Sequence, residues 1–479
     1  MRHNDSSRIR HATRWSGLEI SVRYVVQFGV MIALARLIEP GAFGVVAMVL
    51  AFTALGTVFV DSGTGLALIQ KQRTTADEET SVFMLNLAIG VAMALLLIAS
   101  GPAIAAFYGH PELTRLSMAM AAIFPLNALA VVPDALLTQR MAFQTRTRVE
   151  MGSSLASGGI AIAAAWAGWG AWALVLQALS SIAARVVMLY TASGWRPTGH
   201  FHRDAARSVT RFGTYMLAAG LIDTAYTRLQ AVLIGRLFSA RDLGFYTLAQ
   251  NTQQAPASFI ASVVNRLGLP LLSSVRSDAR ESHRILRSGM RLGLFLFAPA
   301  MAALSVLAAP IVTLVYGDAW MPAGELLGIL ALAAIPWPAH VLNLVALNSQ
   351  GHPHLVLRVE ILKKSTGILL LVASAPFGLS AIAWSTVATS VLASFFNAAC
   401  LGRVTGYGVR AQAADYGSVF IATIGAAGAA WLCRLYVPGT LSCVVAGCTA
   451  AGIVTMLAGV ASGHPAIPTV RQILRGGPK

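Results

Sequence analysis

Charge is what this sequence has little of. Asp, Glu, Lys and Arg make up 11% of its 479 residues, against about 25% in an ordinary soluble domain. Hydrophobic residues make up 56%, and the mean hydropathy is +0.68. Those values exclude both a soluble globular chain and a disordered one. Lysine is scarcest: Lys71, Lys363, Lys364 and Lys479 are the full set, so 31 of the 35 basic residues are Arg. Codon bias in an Ala- and Gly-rich chain accounts for this, and two-pronged phosphate binding by guanidinium is the sharper alternative. The four cysteines, Cys400, Cys433, Cys443 and Cys448, lie late in the chain without metal-ligand spacing. They read as small apolar helix residues, and Cys433 with Cys443 is the one pair that flanks a short hairpin. Phosphate-binding loops of the Walker type, metal-ligand clusters and a G-x-S-x-G elbow are all missing, so neither ATP hydrolysis nor a cofactor is expected.

What the sequence does contain is long apolar runs. Stretches of about 20 residues suit transmembrane helices, whereas a barrel would show short alternating segments. Fourteen spans are expected, near 14–36, 42–69, 81–107, 114–137, 150–168, 171–193, 209–237, 243–272, 288–315, 323–348, 355–375, 379–401, 415–436 and 440–461. Ala33-Leu34-Ala35 imitates a signal cleavage site, but the apolar run before it is too long, so the first span reads as uncleaved.

The net charge of +16 would suggest nucleic acid in a soluble protein. Here the basic residues sit between spans, so they are read as topology signals and no nucleic-acid partner is expected. With the N-terminus inside, inner segments and the adjoining helix ends carry 26 of the 35 Lys and Arg residues, outer loops and helix ends carry five, and the other four lie deeper within spans. Both termini are therefore expected in the cytoplasm. The outer loops are too short for an extramembrane domain.

The chain also repeats itself. Ala35-Arg36-Leu37-Ile38, followed by Phe43-Gly44, returns as Gly235-Arg236-Leu237-Phe238, followed by Leu243-Gly244. Two fourteen-residue segments end in Arg-Val-Glu, one at Glu150 and the other at Glu360. Gly168-Trp169-Gly170-Ala171-Trp172 parallels Pro376-Phe377-Gly378-Leu379-Ser380. The offsets are 200, 210 and 208, so six helices repeat as six helices. An even number preserves orientation, which makes the repeats parallel, a recurring transporter design.

The pattern of Trp15, Gln27, Leu34-Ala35-Arg36-Leu37, Pro40, Phe43-Gly44, Asp61-Ser62-Gly63 and Ala67-Leu68-Ile69-Gln70 continues with Gln139-Arg140-Met141-Ala142-Phe143 and the Gly-Trp-Gly-Ala-Trp segment. It resembles the polysaccharide-transporter (Wzx-type) branch of the multidrug/oligosaccharidyl-lipid/polysaccharide flippase superfamily, across roughly residues 10–400. The resemblance implies an all-α polytopic membrane protein with two parallel-repeat six-helix lobes around a central cavity, plus two C-terminal helices. The expected organisation is a basic tail at 1–13, lobes at 14–193 and 209–402, a cytoplasmic linker at 194–208, two extra helices at 403–461 and a tail at 462–479.

The implied activity is alternating-access flipping of undecaprenyl-pyrophosphate-linked oligosaccharide from the cytoplasmic to the periplasmic leaflet of a bacterial inner membrane. The partners would be that lipid-linked sugar, membrane lipids, and the polymerase and glycosyltransferases of the same pathway. The rival readings are an integral-membrane polymerase or ligase and a drug exporter of the same superfamily. The family pattern often has an Asp five residues before the Gly of a Gly-Arg or Gly-Lys pair in the seventh helix. Gln230 stands there in this sequence, so an ion-coupling role attached to that carboxylate does not carry over.

Charges inside spans are costly and mark a path or a pair. Trp15, Glu19, Arg23 and Gln27 are spaced four apart and share one helix face. Glu19 and Arg23 form either a self-neutralising pair or part of a cavity wall. At the repeat offset of 200, Asp223 is the counterpart of Arg23. The two either face each other across the cavity or pair locally. Arg228 is a second phosphate candidate.

Gln250 to Gln254, with Asn265 and Arg266, offer either sugar-binding groups or interhelical hydrogen bonds. The substrate candidates are thus Arg23, Gln27, Asp223, Arg228, Gln250, Gln254 and Arg266. Glu19, Asp223 and His340 are the coupling candidates, although a buried histidine is more often structural. Pro336 and Pro338 predict a break in the tenth span. Asp61 and Asp134 read as packing or capping residues before coupling ones. Arg276, Arg280, Arg284, Arg287 and Arg291 form the densest basic stretch, facing either anionic lipid or a pyrophosphate headgroup.

Overall fold

The computed structural model describes residues 25–61, 63–71, 74–274, 279–464 and 467–468. Among these the secondary structure is helical throughout. In chain order the helices are α1 (Val25–Leu37), α2 (Pro40–Asp61), α3 (Thr64–Gln70), α4 (Ala76–Tyr108), α5 (Glu112–Met120), α6 (Ile123–Gln139), α7 (Phe143–Trp166), α8 (Ala171–Ser193) and α9 (Arg203–Leu237). They continue as α10 (Ala240–Ser274), α11 (Ala279–Tyr316), α12 (Met321–Ala334), α13 (Trp337–Ser349), α14 (Pro353–Ser374), α15 (Leu379–Thr405), α16 (Val409–Tyr436) and α17 (Thr440–Ala461).

Three spans expected as single helices are broken, and pairing α2 with α3, α5 with α6 and α12 with α13 gives the fourteen expected segments among the described residues. The α12–α13 break falls at Ile335 and Pro336, where the prolines predicted it. Gly63, at φ 69°, lies in the break before α3. The split between the fifth and sixth spans is made by Gly168 and Gly170, both at positive φ. The eighth span, in contrast, runs unbroken through Gln250–Gln254. At the start of α4, Thr75 Oγ1 accepts from the Glu78 amide and Glu78 reaches back to the Thr75 amide, a reciprocal cap.

Nine segments among the described residues are long and apolar enough to cross a membrane. Helices α7, α9, α10 and α14 fall outside that group because polar residues interrupt them, and α1 is short over its described part. A helix with a polar stripe must turn it to protein or water rather than to lipid.

The chain forms two compact units, Met1–Thr247 and Leu248–Lys479. In the first, α7 packs on α8, α6 on α4, and α9 on α2 and α4. Leu34 of α1, with Ile38 just beyond it, is buried among Ala161, Ala164, Ala165 and Ala173, small residues that let helices approach closely. In the second, α11 is the hub, packing against α12, α16 and α17. Its contact with α13 and α16 is a core built on Met290, Leu294, Phe295, Leu342 and Val419.

The internal repeat is visible in the helix starts. Helices α2 and α10 begin 200 residues apart, α7 and α14 210, and α8 and α15 208. A Cβ on Gly44 would overlap the carbonyl of Ala240, and a Cβ on Gly244 would overlap the carbonyl of Pro40. The contact is therefore reciprocal between equivalent residues at the starts of α2 and α10. The segments GPAIAAFYG at 101–109 and APIVTLVYG at 309–317 add a further match at offset 208. In the first unit Tyr108 meets Phe52 edge-on at 6.1 Å. In the second, Tyr316 shares a 2.8 Å hydrogen bond with Thr252, the counterpart of Phe52 at offset 200.

Candidate substrate path and charged centres

In the first unit a cavity of about 580 Å³ opens between α2, α3, α6, α8 and α9. Its polar wall is formed by Thr57, Asp61, Asn127, Asp134 and Arg185. Asp134 is an ion-pair centre: its Oδ1 accepts from Arg146 Nε at 2.9 Å, and its Oδ2 lies 3.2 Å from both Arg146 Nη2 and Arg185 Nη2. Arg146 also lies 3.9 Å from Glu150. Arg185 Nε is buried with no hydrogen-bond partner among the described residues. Asp61, the last residue of α2, is exposed to the cavity within electrostatic reach of Asp134 and Arg185. The backbone carbonyl of Asp61 accepts from Thr64 Oγ1, but its carboxylate has no ion pair or hydrogen bond among the described residues.

Of the residues singled out in the sequence, Glu19 and Arg23 lie outside the described residues, as does the side chain of Arg266. Gln27 is exposed on α1, and Asp223 and Arg228 are exposed on α9. On α10 the polar run divides. Thr252 is buried against Tyr316, Gln250 is half-buried, and Asn251 and Gln254 are exposed. Thr252 thus supplies an interhelical hydrogen bond, and of the glutamines only Gln254 is exposed. His340 is buried on α13, with Nε2 3.0 Å from Ser394 Oγ and its ring stacked near Trp337.

The second unit holds a charged centre that the sequence reading did not assemble. Asp415, at the start of α16, is fully buried. Its Oδ1 accepts from Arg291 Nε at 2.6 Å, Arg287 Nε lies 3.2 Å from Oδ2, and Tyr407 donates its phenol to Oδ2 at 2.5 Å. Burial, together with the carboxylate, pushes the Tyr407 phenol well above its ordinary pKa. Alongside, Gln412 and Asn343 exchange two 3.0 Å hydrogen bonds. Beyond α17, His464 stacks on Phe295 and lies 3.2 Å from Ser418 Oγ. Burial and the nearby Arg291 push its imidazole below the ordinary value. Arg287 and Arg291 of the basic stretch are thus taken up by Asp415, and Arg284 pairs with Glu281. The available signal was the isolated Asp415 in an apolar span, since a lone intramembrane charge requires a partner.

At the N-terminal end of α4, Trp195 Nε1 donates to Glu79 at 2.7 Å. The backbone amides of Gly199, His200 and His202 donate to Thr80, Asp77 and Ser81. These bonds hold the connection between α8 and α9 against α4.

Fourteen helical segments, polar-striped helices and two repeats define a multi-span membrane protein, and solved structures place its fold among transporters. The lipid II flippase MurJ in its inward closed conformation matches with a TM-score of 0.78 over 92% of this chain and 97% of that one, at 11% identity. An inward-facing multidrug resistance MATE family transporter of the MOP superfamily matches at 0.58, over 78% and 91% of the two chains and at 13% identity.

Within that fold the chain belongs to the polysaccharide biosynthesis protein family, whose pattern matches residues 33–325. Its relatives include the succinoglycan biosynthesis transport protein ExoT of Rhizobium meliloti (strain 1021), 28% identical over 319 residues. That match covers 67% of this chain and 65% of ExoT. The teichuronic acid biosynthesis protein TuaB of Bacillus subtilis (strain 168) is 25% identical over 69% of each chain. The lipopolysaccharide biosynthesis protein WzxC of Escherichia coli (strain K12) is 22% identical over 67% of this chain and 66% of its own.

Proposed function

We propose that this chain flips polyprenyl-diphosphate-linked oligosaccharide repeat units from the cytoplasmic to the periplasmic leaflet of a bacterial inner membrane, by alternating access of two six-helix lobes at 14–193 and 209–402. The observation that carries the reading is the likeness to MurJ over 92% of the chain. That protein is a lipid II flippase. Membership in a polysaccharide family with transport-named relatives supports the same cargo class. The short connections between described helices leave little room for the catalytic loops that a polymerase or ligase needs. The 26-to-five distribution of basic residues supports both termini on the cytoplasmic side.

On this reading the polar faces of α1, α9 and α10 line the path. Arg23, with Arg228, would hold the diphosphate by charge-assisted hydrogen bonds, and Asp223 would compete for Arg23 in the other facing, because a ligand that binds both states equally shifts neither. The deciding experiment is depletion of the gene. Lipid-linked repeat units should accumulate on the inner leaflet and surface polysaccharide should disappear. Polymer of normal amount with altered chain length would place the protein at another step. Arg23→Ala, at wild-type abundance in the membrane, should lose export, and exchanging the charges of Arg23 and Asp223 should recover more than either single change.

A further inference from the structure

The cavity of the first unit holds a combination of groups that structural packing leaves unused. Asp61 presents two carboxylate oxygens with no side-chain partner among the described residues, and the Arg185 side chain, 30% exposed, lines the same wall. Asn127 spends its Nδ2 on the Ile123 carbonyl, which leaves its amide oxygen as an acceptor on the same wall. Apart from Thr57 and the ion-paired Asp134, the remaining lining is apolar, with Val58, Leu66, Ile69, Val131 and Leu217. A volume of about 580 Å³ falls within the range of small-molecule sites, about 300–1,000 Å³. Gly65 lets α3 approach α6 here, since a Cβ there would press on Val131 at 3.2 Å.

The charges choose between ligand classes. An anion such as a diphosphate would meet two carboxylates, Asp61 and Asp134, and like charges in a low-dielectric site repel strongly. A metal cation or an organic cation would meet the Arg185 guanidinium. A neutral polyol meets neither penalty. Its hydroxyls donate to Asp61 and Asn127, an adjacent hydroxyl oxygen accepts from the exposed part of the Arg185 guanidinium, and its C–H faces rest on the aliphatic wall. From this arrangement we infer that the cavity is a subsite for a neutral sugar ring, held between Asp61 and Arg185, apart from the residues proposed above for the diphosphate. The inference rests on the flippase reading for the source of the sugar, which is the oligosaccharide of the cargo.

The test uses cysteine labelling, because all four native cysteines lie at residue 400 or later. In the full chain with those four replaced by alanine, Val131→Cys places one thiol on the cavity wall. The purified protein in lipid nanodiscs is labelled with a small maleimide in the presence of methyl glucoside, methyl galactoside, methyl mannoside, methyl N-acetylglucosaminide, sodium pyrophosphate, or sodium chloride against choline chloride. At least one glycoside should slow labelling several-fold in a saturable manner, while pyrophosphate and sodium leave the rate unchanged. Adding Asp61→Leu should demand about ten-fold more glycoside for the same protection. Asp61→Asn, which keeps one acceptor, should fall between, and it serves alone if the leucine variant does not elute as a monodisperse peak.

Protection by pyrophosphate, protection by sodium, protection by no glycoside, or protection indifferent to Asp61 would each overturn the inference. Glycoside protection in a protein whose depletion leaves export intact would remove the flippase reading and keep the site. Lost export on depletion, with no glycoside protecting, would do the reverse.

Discussion

Arg291 and Asp415 are joined by a 2.6 Å hydrogen bond that ties α11 to α16, the first of the two helices beyond the repeat. Asp415 is fully buried, whereas Arg287 and Arg291 keep side-chain exposures of 40% and 28%. Removing one partner of a buried ion pair costs about 3–5 kcal/mol, and partial exposure of the arginines favours the lower end. Asp415→Ala should therefore lower the thermal unfolding midpoint in detergent, with proteolysis reaching α16 and α17 first. Tyr407→Phe should cost less, about 1–2 kcal/mol, because the two guanidinium groups still compensate the carboxylate.

The attachment of the C-terminal segment should weaken in acid. His464 has its folded pKa depressed below the ordinary 6.5, so folding favours the neutral ring. That stability is present above the unfolded pKa and is lost as pH falls from about 6.5 through the folded value. Hydrogen-exchange protection factors around residues 459–464, corrected for the intrinsic pH dependence of exchange, should fall from pH 7.5 to pH 5. His464→Phe, which keeps the stack on Phe295, should flatten that response.

Gly44→Ala and Gly244→Ala should each damage the protein more than an ordinary helix substitution. The added methyl meets backbone rather than a flexible side chain, and overpacking of that kind costs about 1–3 kcal/mol. The double variant should be less than additive, because either methyl alone forces the same two helix starts apart. Fluorescence-detected gel filtration after a temperature ramp would measure both effects.

The two equivalent tyrosines should respond differently to loss of the hydroxyl. Tyr108 has a buried hydroxyl without a partner, so Tyr108→Phe should be neutral or stabilising. Tyr316 gives up a hydrogen bond to Thr252, and Tyr316→Phe should cost about 1 kcal/mol in the same unfolding assay. Equal effects would contradict the assignment of partners.

Much of the architecture was legible because membrane insertion writes it plainly. Apolar length gave the fourteen segments, and the three repeat offsets reappear as helix starts at Pro40 and Ala240, Phe143 and Pro353, and Ala171 and Leu379. Breaks were legible only where proline or paired glycine marked them, as at Pro336 and Gly168. The break between α5 and α6, at Ala121 and Ala122, precedes Pro125, which has no N–H to give the Ala121 carbonyl, a mark that the sequence reading passed over. The charged centres were legible as isolated residues and illegible as groups. Arg185 and Asp134 are 51 positions apart, and Arg291 and Asp415 are 124 apart. Periodicity speaks only for residues on one helix, and nothing in a single sequence names the partner on another.

The reciprocal meeting of Gly44 with the Ala240 carbonyl and of Gly244 with the Pro40 carbonyl has a consequence for ancestry. A contact that maps onto itself when equivalent residues are exchanged is isologous, the kind made by two identical subunits about a two-fold axis. It asks nothing of one half that it does not ask of the other, and it needs only that Gly44 and Gly244 stay glycine, so side-chain divergence elsewhere in the halves leaves it intact. Two free copies of a six-helix chain could have made this contact before any peptide linked them. The connection between α8 and α9 would then be the join left by fusion, and its hydrogen bonds to the start of α4 a later addition that only a covalent tandem could use.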